Sequence, residues 1–271
     1  MNSRRISAAM LCLVALAIGA SRLNAYPGGT PRVVTNATPF CTNCHSSTSA
    51  DQLKDMPADA ASGMLPDHRH YTEINSGEEG YGKLSADDRQ KLITAIKAMD
   101  ANSRVELSVS ATSVKPGAPL TATVKTRGGA GPVVGVMLTD NDQRFQSSPV
   151  QVEGFLITQP PAVTGPDGKS QTKFLDARVA GLNKNINYVN IQEVYSNPDA
   201  GKYAECQVVY SLKAPCDPGQ YTISAAFLYG TEKASSLGRV EGPGGRIMPV
   251  GGQAAHSGRV QFAKPVTVTV K

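Results

Sequence analysis

The chain has 271 residues, with 27 lysines and arginines against 22 acids, five cysteines, four histidines and no tryptophan. Its formal charge of +5 is spread over scattered basic residues, which argues against a basic nucleic-acid-binding face. The length allows one large or two modest domains.

In chain order, the first expected element is an export signal over residues 1–25. Arg4 and Arg5 form a basic start, residues 6–20 are apolar and uncharged, and Leu23-Asn24-Ala25 ends in a small residue suited to cleavage. Cleavage is expected after Ala25, with Ala20 as the second choice. The apolar stretch of about fifteen residues is shorter than the ~20 that span a bilayer as a helix. Cys12 lies inside it and is read as part of the signal. What remains is about 246 residues carrying a charge of about +2. That remainder has no apolar run of transmembrane length, so a soluble exported protein is expected.

The next feature is Cys41-Thr42-Asn43-Cys44-His45. Cys-x-x-Cys-His is the attachment sequence for c-type haem. Two thiols at this spacing add across the two porphyrin vinyl groups, and the following imidazole meets the iron. A structural zinc site wants four ligands, usually as two pairs, and no second pair is present. A redox dithiol sits between a strand and a helix, which the Pro- and Gly-rich flanks do not suggest. Haem attachment also requires export, so the motif and the signal support one another. The sequence implies one haem c, held by Cys41, Cys44 and His45.

Residues 26–103 are read as the haem segment. Residues 26–40 hold three prolines and two adjacent glycines and are expected to be extended. A helix is expected over 86–99, with Ser85 as N-cap, Asp88 closing a capping box, and Leu92, Ile93, Ile96 and Met99 on one face. This closing helix, with the haem motif upstream, resembles class I cytochromes c. The extended approach and β-rich remainder look more like bacterial exported proteins that join a cytochrome-like segment to a Reeler-like or immunoglobulin-like domain. The resemblance implies a small, mainly α, cytochrome c-like haem domain.

The sixth iron ligand is sought between the motif and that helix. His70 is preferred, followed by His68, Met64 and Met56. In small cytochromes this ligand comes from the loop before the last helix, and the earlier candidates are on short tethers. A methionine would raise the reduction potential relative to histidine, and an open position would admit small ligands. His256, in a Gly-rich stretch, is read as a surface residue.

From Val105 onward the pattern alternates with period two. Strands are expected over 105–109, 120–124, 133–138, 155–158, 188–195, 207–212, 221–229, 258–262 and 266–270, with long loops over 160–168 and 241–252. Residues 104–271 are therefore read as an all-β immunoglobulin-like sandwich, making the chain α+β by domain. Cys206 and Cys216 are left to form a disulfide in an oxidising compartment. A straight strand between them would hold them about 20 Å apart, so a bridge requires the chain to fold back. A single histidine beyond residue 100 supplies neither a hydrolytic triad nor a histidine-rich metal site. Gly242-Pro243-Gly244-Gly245 lacks the Lys-Ser/Thr of a phosphate loop. The expected function is an exported monohaem cytochrome passing single electrons between redox partner proteins. The alternative is a β-sandwich binding or adhesion module with a structural or redox- or gas-sensing haem.

Overall fold

The computed structural model describes residues 42, 45–78, 81–171, 187–232, 239–241, 247–249 and 257–271. The signal segment, residues 26–40, Cys41, Cys44, the glycine run 242–245 and His256 lie outside the described residues.

Strand β1 (Ser46–Ser47) follows His45, and a 3-10 turn (Ala50–Leu53) leads to helices α1 (Ala58–Ser62) and α2 (His70–Ser76). The long helix α3 runs from Ala86 to Asn102. Its start is fixed where the sequence places it, because the Ser85 hydroxyl oxygen accepts the backbone N–H of Asp88 at 3.1 Å. Ile93, Ile96 and Met99 form its buried stripe, while Leu92 is half-buried.

The remaining strands are β2 (Arg104–Val109), β3 (Ser113–Val114), β4 (Pro119–Arg127), β5 (Val133–Thr139), β6 (Leu156–Ile157) and β7 (Ala162–Thr164). They continue with β8 (Tyr188–Gln192), β9 (Glu205–Lys213), β10 (Gly219–Gly230), β11 (Arg239–Glu241), β12 (Ile247–Pro249), β13 (Gly258–Phe262) and β14 (Val266–Val270). One sheet is built on β10, with β13 and β14 along one edge, β5 and then β8 on the other, β1 parallel to β13 and β3 parallel to β14. The second has the order β2-β4-β9, with β6 and β7 both on the far edge of β9. β11 and β12 pair only with each other.

Period-two alternation explains the packing. Leu120, Ala122 and Val124 of β4, and Val208, Tyr210 and Leu212 of β9, face Val134, Val136 and Leu138 of β5 and Ala225, Phe227 and Tyr229 of β10 across one core. The second half of β10 is buried on both faces. Ala226 and Leu228 join Met137, Tyr188 and Val260 in a separate cluster on its outer side, the mark of a strand covered from both directions.

Helix α3 closes one end of the sandwich. Met99 enters the shared core, the Ala98 carbonyl accepts the Tyr203 hydroxyl at 3.3 Å, and Asp100 bonds to the first sheet. The chain then passes so close to the β4 exit that a Cβ on Gly128, which has φ +100°, would lie 2.0 Å from the Ser103 hydroxyl oxygen.

The expectation of a chain that is α+β by domain, with a cytochrome c-like α segment, is corrected. The described chain is mostly β, in two large sheets and one two-stranded pair, with three helices of 5, 7 and 17 residues. Tyr71, Ile74, Tyr81, Ile93 and Ile96 are the buried residues of the helical cluster. They form a small cluster, and Met99, Asp100 and His70 tie its helices to the sandwich. The helices are held by the sandwich, and β1 is one of its strands. A second difference is β7, which pairs with Gln207–Val209 of β9 where the sequence suggests only a loop.

Candidate functional site

His45 is the described end of the Cys-x-x-Cys-His motif. Parallel pairing of β1 with β13 sets Ser46 opposite Arg259 and brings His45 beside the preceding turn of backbone. Its Nδ1 lies 3.3 Å from the Arg259 carbonyl oxygen. A carbonyl only accepts, so Nδ1 carries the proton and Nε2 presents a lone pair. Among the described residues Nε2 has no hydrogen-bond partner. The residue is half-exposed at its rim, but protein surrounds the imidazole. Burial, aided by the charges of Arg144 and Arg259 and opposed by the Arg259 carbonyl, lowers its pKa to about 4. Gly258 permits this approach, since a Cβ there would sit 2.3 Å from Nδ1.

Arg144 enters from the segment after β5 and is fully buried. It donates from Nη1 to the Ser47 hydroxyl oxygen at 2.6 Å and from Nη2 to the backbone carbonyls of Thr42 and His45. The Thr42 hydroxyl in turn donates to the Arg144 carbonyl at 3.2 Å. Burial lowers the guanidinium pKa to about 10, with Asp55 opposing, so it stays charged at neutral pH.

Behind the motif lies a polar network. Arg259 donates from Nε to Asp100 Oδ2 at 3.0 Å and from Nη2 to His70 Nδ1 at 3.1 Å. Asp100 also accepts the hydroxyls of Tyr229 at 3.0 Å and Tyr71 at 3.3 Å. Because His70 Nδ1 accepts, its Nε2 donates, and Glu232 Oε1 lies 2.7 Å away and also accepts the Tyr81 hydroxyl at 2.8 Å. Burial, with Asp100 adding to it, pushes the Tyr71 hydroxyl up to about 12, and burial also raises those of Tyr81 and Tyr229. Burial opposes the Arg259 charge, but Asp100 and the tyrosines outweigh it and raise its pKa.

The expected sixth-ligand residues are placed differently from one another. His70 is fully buried with both nitrogens engaged, so this arrangement leaves it no nitrogen for iron. His68 is exposed, and Met56 is half-buried near the 3-10 turn. Met64 is beside the motif: its carbonyl accepts Ser47 N–H at 3.1 Å, and its sulfur lies 3.5 Å from Arg69 Nη1 and 4.0 Å from Arg144 Nη2.

Of the three residues expected to hold a haem, His45 alone is described, and its chemistry suits an iron ligand. It is a neutral imidazole with no partner on its outer nitrogen among the described residues and its inner nitrogen fixed by a carbonyl, packed against a glycine. Among the described residues no group of three or more His, Cys, Asp and Glu gathers as a metal cluster.

Cys206 and Cys216 are both free, correcting the expected disulfide. β9 runs straight from Glu205 to Lys213 and carries the two residues apart. Burial pushes the Cys206 thiol up to about 12, whereas Cys216 is exposed. Arg144, Arg259, Asp100, Glu232 and Tyr81 carry no sequence motif. The available signal is polar Arg259 and Gln261 within a strand that ends in apolar residues.

No helix among the described residues is long and apolar enough to cross a membrane. No family model matches the chain, and no curated protein matches it. Among solved structures, the N-terminal domain of an adhesin from Streptococcus gordonii is similar at 10% identity and a TM-score of 0.35, over 62% of this chain and 32% of that one, about a third of its length. BslA, a bacterial hydrophobin, is similar at 12% identity and a TM-score of 0.30, over 63% of this chain and 94% of that one. The C-terminal domain of the antigen I/II-family protein AspA of Streptococcus pyogenes is similar at 10% identity and a TM-score of 0.29, over 62% and 52% of the two chains.

Proposed function

We propose that this protein is an exported β-sandwich binding module that carries one covalently attached haem as a redox-responsive or structural element. The observation that supports it best is the His45 Nδ1–H on the carbonyl of Arg259. The candidate iron ligand is oriented by a strand of the sandwich itself. Such a second partner fixes the tautomer and raises the basicity of the outer nitrogen.

In this reading Cys41 and Cys44 would hold the porphyrin and His45 would bind its iron. A bound haem supplies a reversible one-electron change at its iron. The residues around it do the rest: Gly258 leaves room for the imidazole, the Arg259 carbonyl holds the Nδ1 proton, and Arg144 ties the backbone of the motif to the segment after β5. Met64 replaces His70 as the preferred sixth ligand, because its sulfur lies beside the motif while both His70 nitrogens have partners.

The Met64 position favours a second reading, an electron carrier between redox partner proteins, since methionine ligation suits a higher potential. Carbon monoxide separates the two. Ready binding of the gas by the reduced native protein marks an open or labile sixth position and a sensing role, and an unaltered reduced spectrum marks a closed carrier. A spectrum unchanged in Met64→Ala removes Met64 as ligand.

A further inference from the structure

We infer that Arg144 sets the reduction potential of this site: a buried cation with no ion pair among the described residues, held against the motif, favours the reduced haem. This rests on the haem reading above and goes beyond it by naming the residue that controls redox poise.

Three observations carry the inference. First, Arg144 is fully buried, and its hydrogen-bond partners among the described residues are neutral: the carbonyls of Thr42 and His45, the hydroxyl of Ser47 and the sulfur of Met64. Second, no carboxylate among the described residues lies within ion-pair distance, and its buried Nε has no hydrogen-bond partner. Asp55, whose charge supports the guanidinium, is not in ion-pair contact with it and accepts the backbone N–H of Phe145 at Oδ2, at 2.6 Å. Third, the other buried guanidinium near His45, that of Arg259, is neutralised by Asp100 at 3.0 Å. Both charges reach His45, but that of Arg259 is ion-paired and that of Arg144 is not.

The ferric form of a haem carries one more positive charge than the ferrous form. Reduction adds one electron, from an external one-electron donor, to the iron and breaks no bond. A fixed cation in protein surroundings is poorly screened and raises the energy of the more positive state. Arg144 therefore shifts the equilibrium toward the ferrous form.

Spectroelectrochemical titration of the haem-loaded full chain tests this, with small-molecule mediators as electron donors. Arg144→Gln is expected to lower the midpoint by about 59 mV, a tenfold change for one electron. Arg144→Lys, which keeps the charge, is expected to stay near the wild-type value. Asp100→Asn, which uncovers the charge of Arg259, is expected to shift the midpoint upward, a sign that general loosening of the site does not produce. An unchanged or raised midpoint in Arg144→Gln overturns the inference. Should that variant take up no haem, Arg144→Lys decides: a near-native midpoint supports the inference and a large fall overturns it. Absence of haem from the wild-type chain is a different failure, that of the haem reading itself.

Discussion

Gly258 and His45 depend on each other at a distance of 213 residues. The imidazole lies where a Cβ at position 258 would stand, 2.3 Å from Nδ1. Gly258→Ala is expected to push the ring off the Arg259 carbonyl, costing about 1–3 kcal/mol in urea denaturation of the apo chain. It should also lower haem content per chain. The cysteines of the β region make a second prediction. With Cys41 and Cys44 occupied as thioethers, native alkylation at pH 8 followed by peptide mapping should modify Cys216 and spare Cys206, whose thiol is pushed up to about 12. The linked stability has a definite sign. Below the ordinary thiol value of 9.0 Cys206 is protonated in both states, and above it only the unfolded chain ionises freely, so stability falls between about pH 9 and 12. His45 was legible in the sequence because its motif is contiguous. Its partners Arg144, Arg259 and Gly258 were not, because each lies on a different element and reads locally as an ordinary loop or strand residue.

At the scale of elements, α3 joins the helical cluster to the sandwich. Ile96, fully buried in the former, predicts a loss of about 2–5 kcal/mol for Ile96→Ala. Asp100 is the polar counterpart. Asp100→Ala strips the carboxylate from a fully buried Arg259, and chemical denaturation should show a loss of about 3–5 kcal/mol. The helix was readable from its cap and its apolar stripe. The long strands were readable from their alternation, and Gly258–Phe262 and Val266–Val270 coincide with the expected bounds. The short strands β1, β3 and β7 were not, since two or three residues carry no period. β1 is the consequential one, because its pairing with β13 delivers His45 to the sheet. Arg259 and Gln261 illustrate the same limit. Alternating with Val260 and Phe262, they read as a solvent-facing row, but the register places them opposite Tyr229 and Phe227, on the inner face that α3 covers.

For the whole molecule, the central claim is that one haem is carried by a β-sandwich whose own strands complete the site. The resemblance to small cytochromes lies in a motif and a closing helix, two local features that a different overall fold can also contain. Burial and pairing are non-local, and they assign the helical segment to the end of the sandwich. Residues 26–103 produced alone are accordingly expected to show little protected structure in amide hydrogen exchange, since His45, His70 and Asp100 all lose their β10, β13 or Glu232 partners. The most direct test is the pyridine haemochrome content of the full chain, purified after production with the cytochrome maturation machinery. One haem per chain, lost in Cys41→Ala/Cys44→Ala, is the result expected, whereas no haem on a folded chain with both cysteines intact contradicts the account.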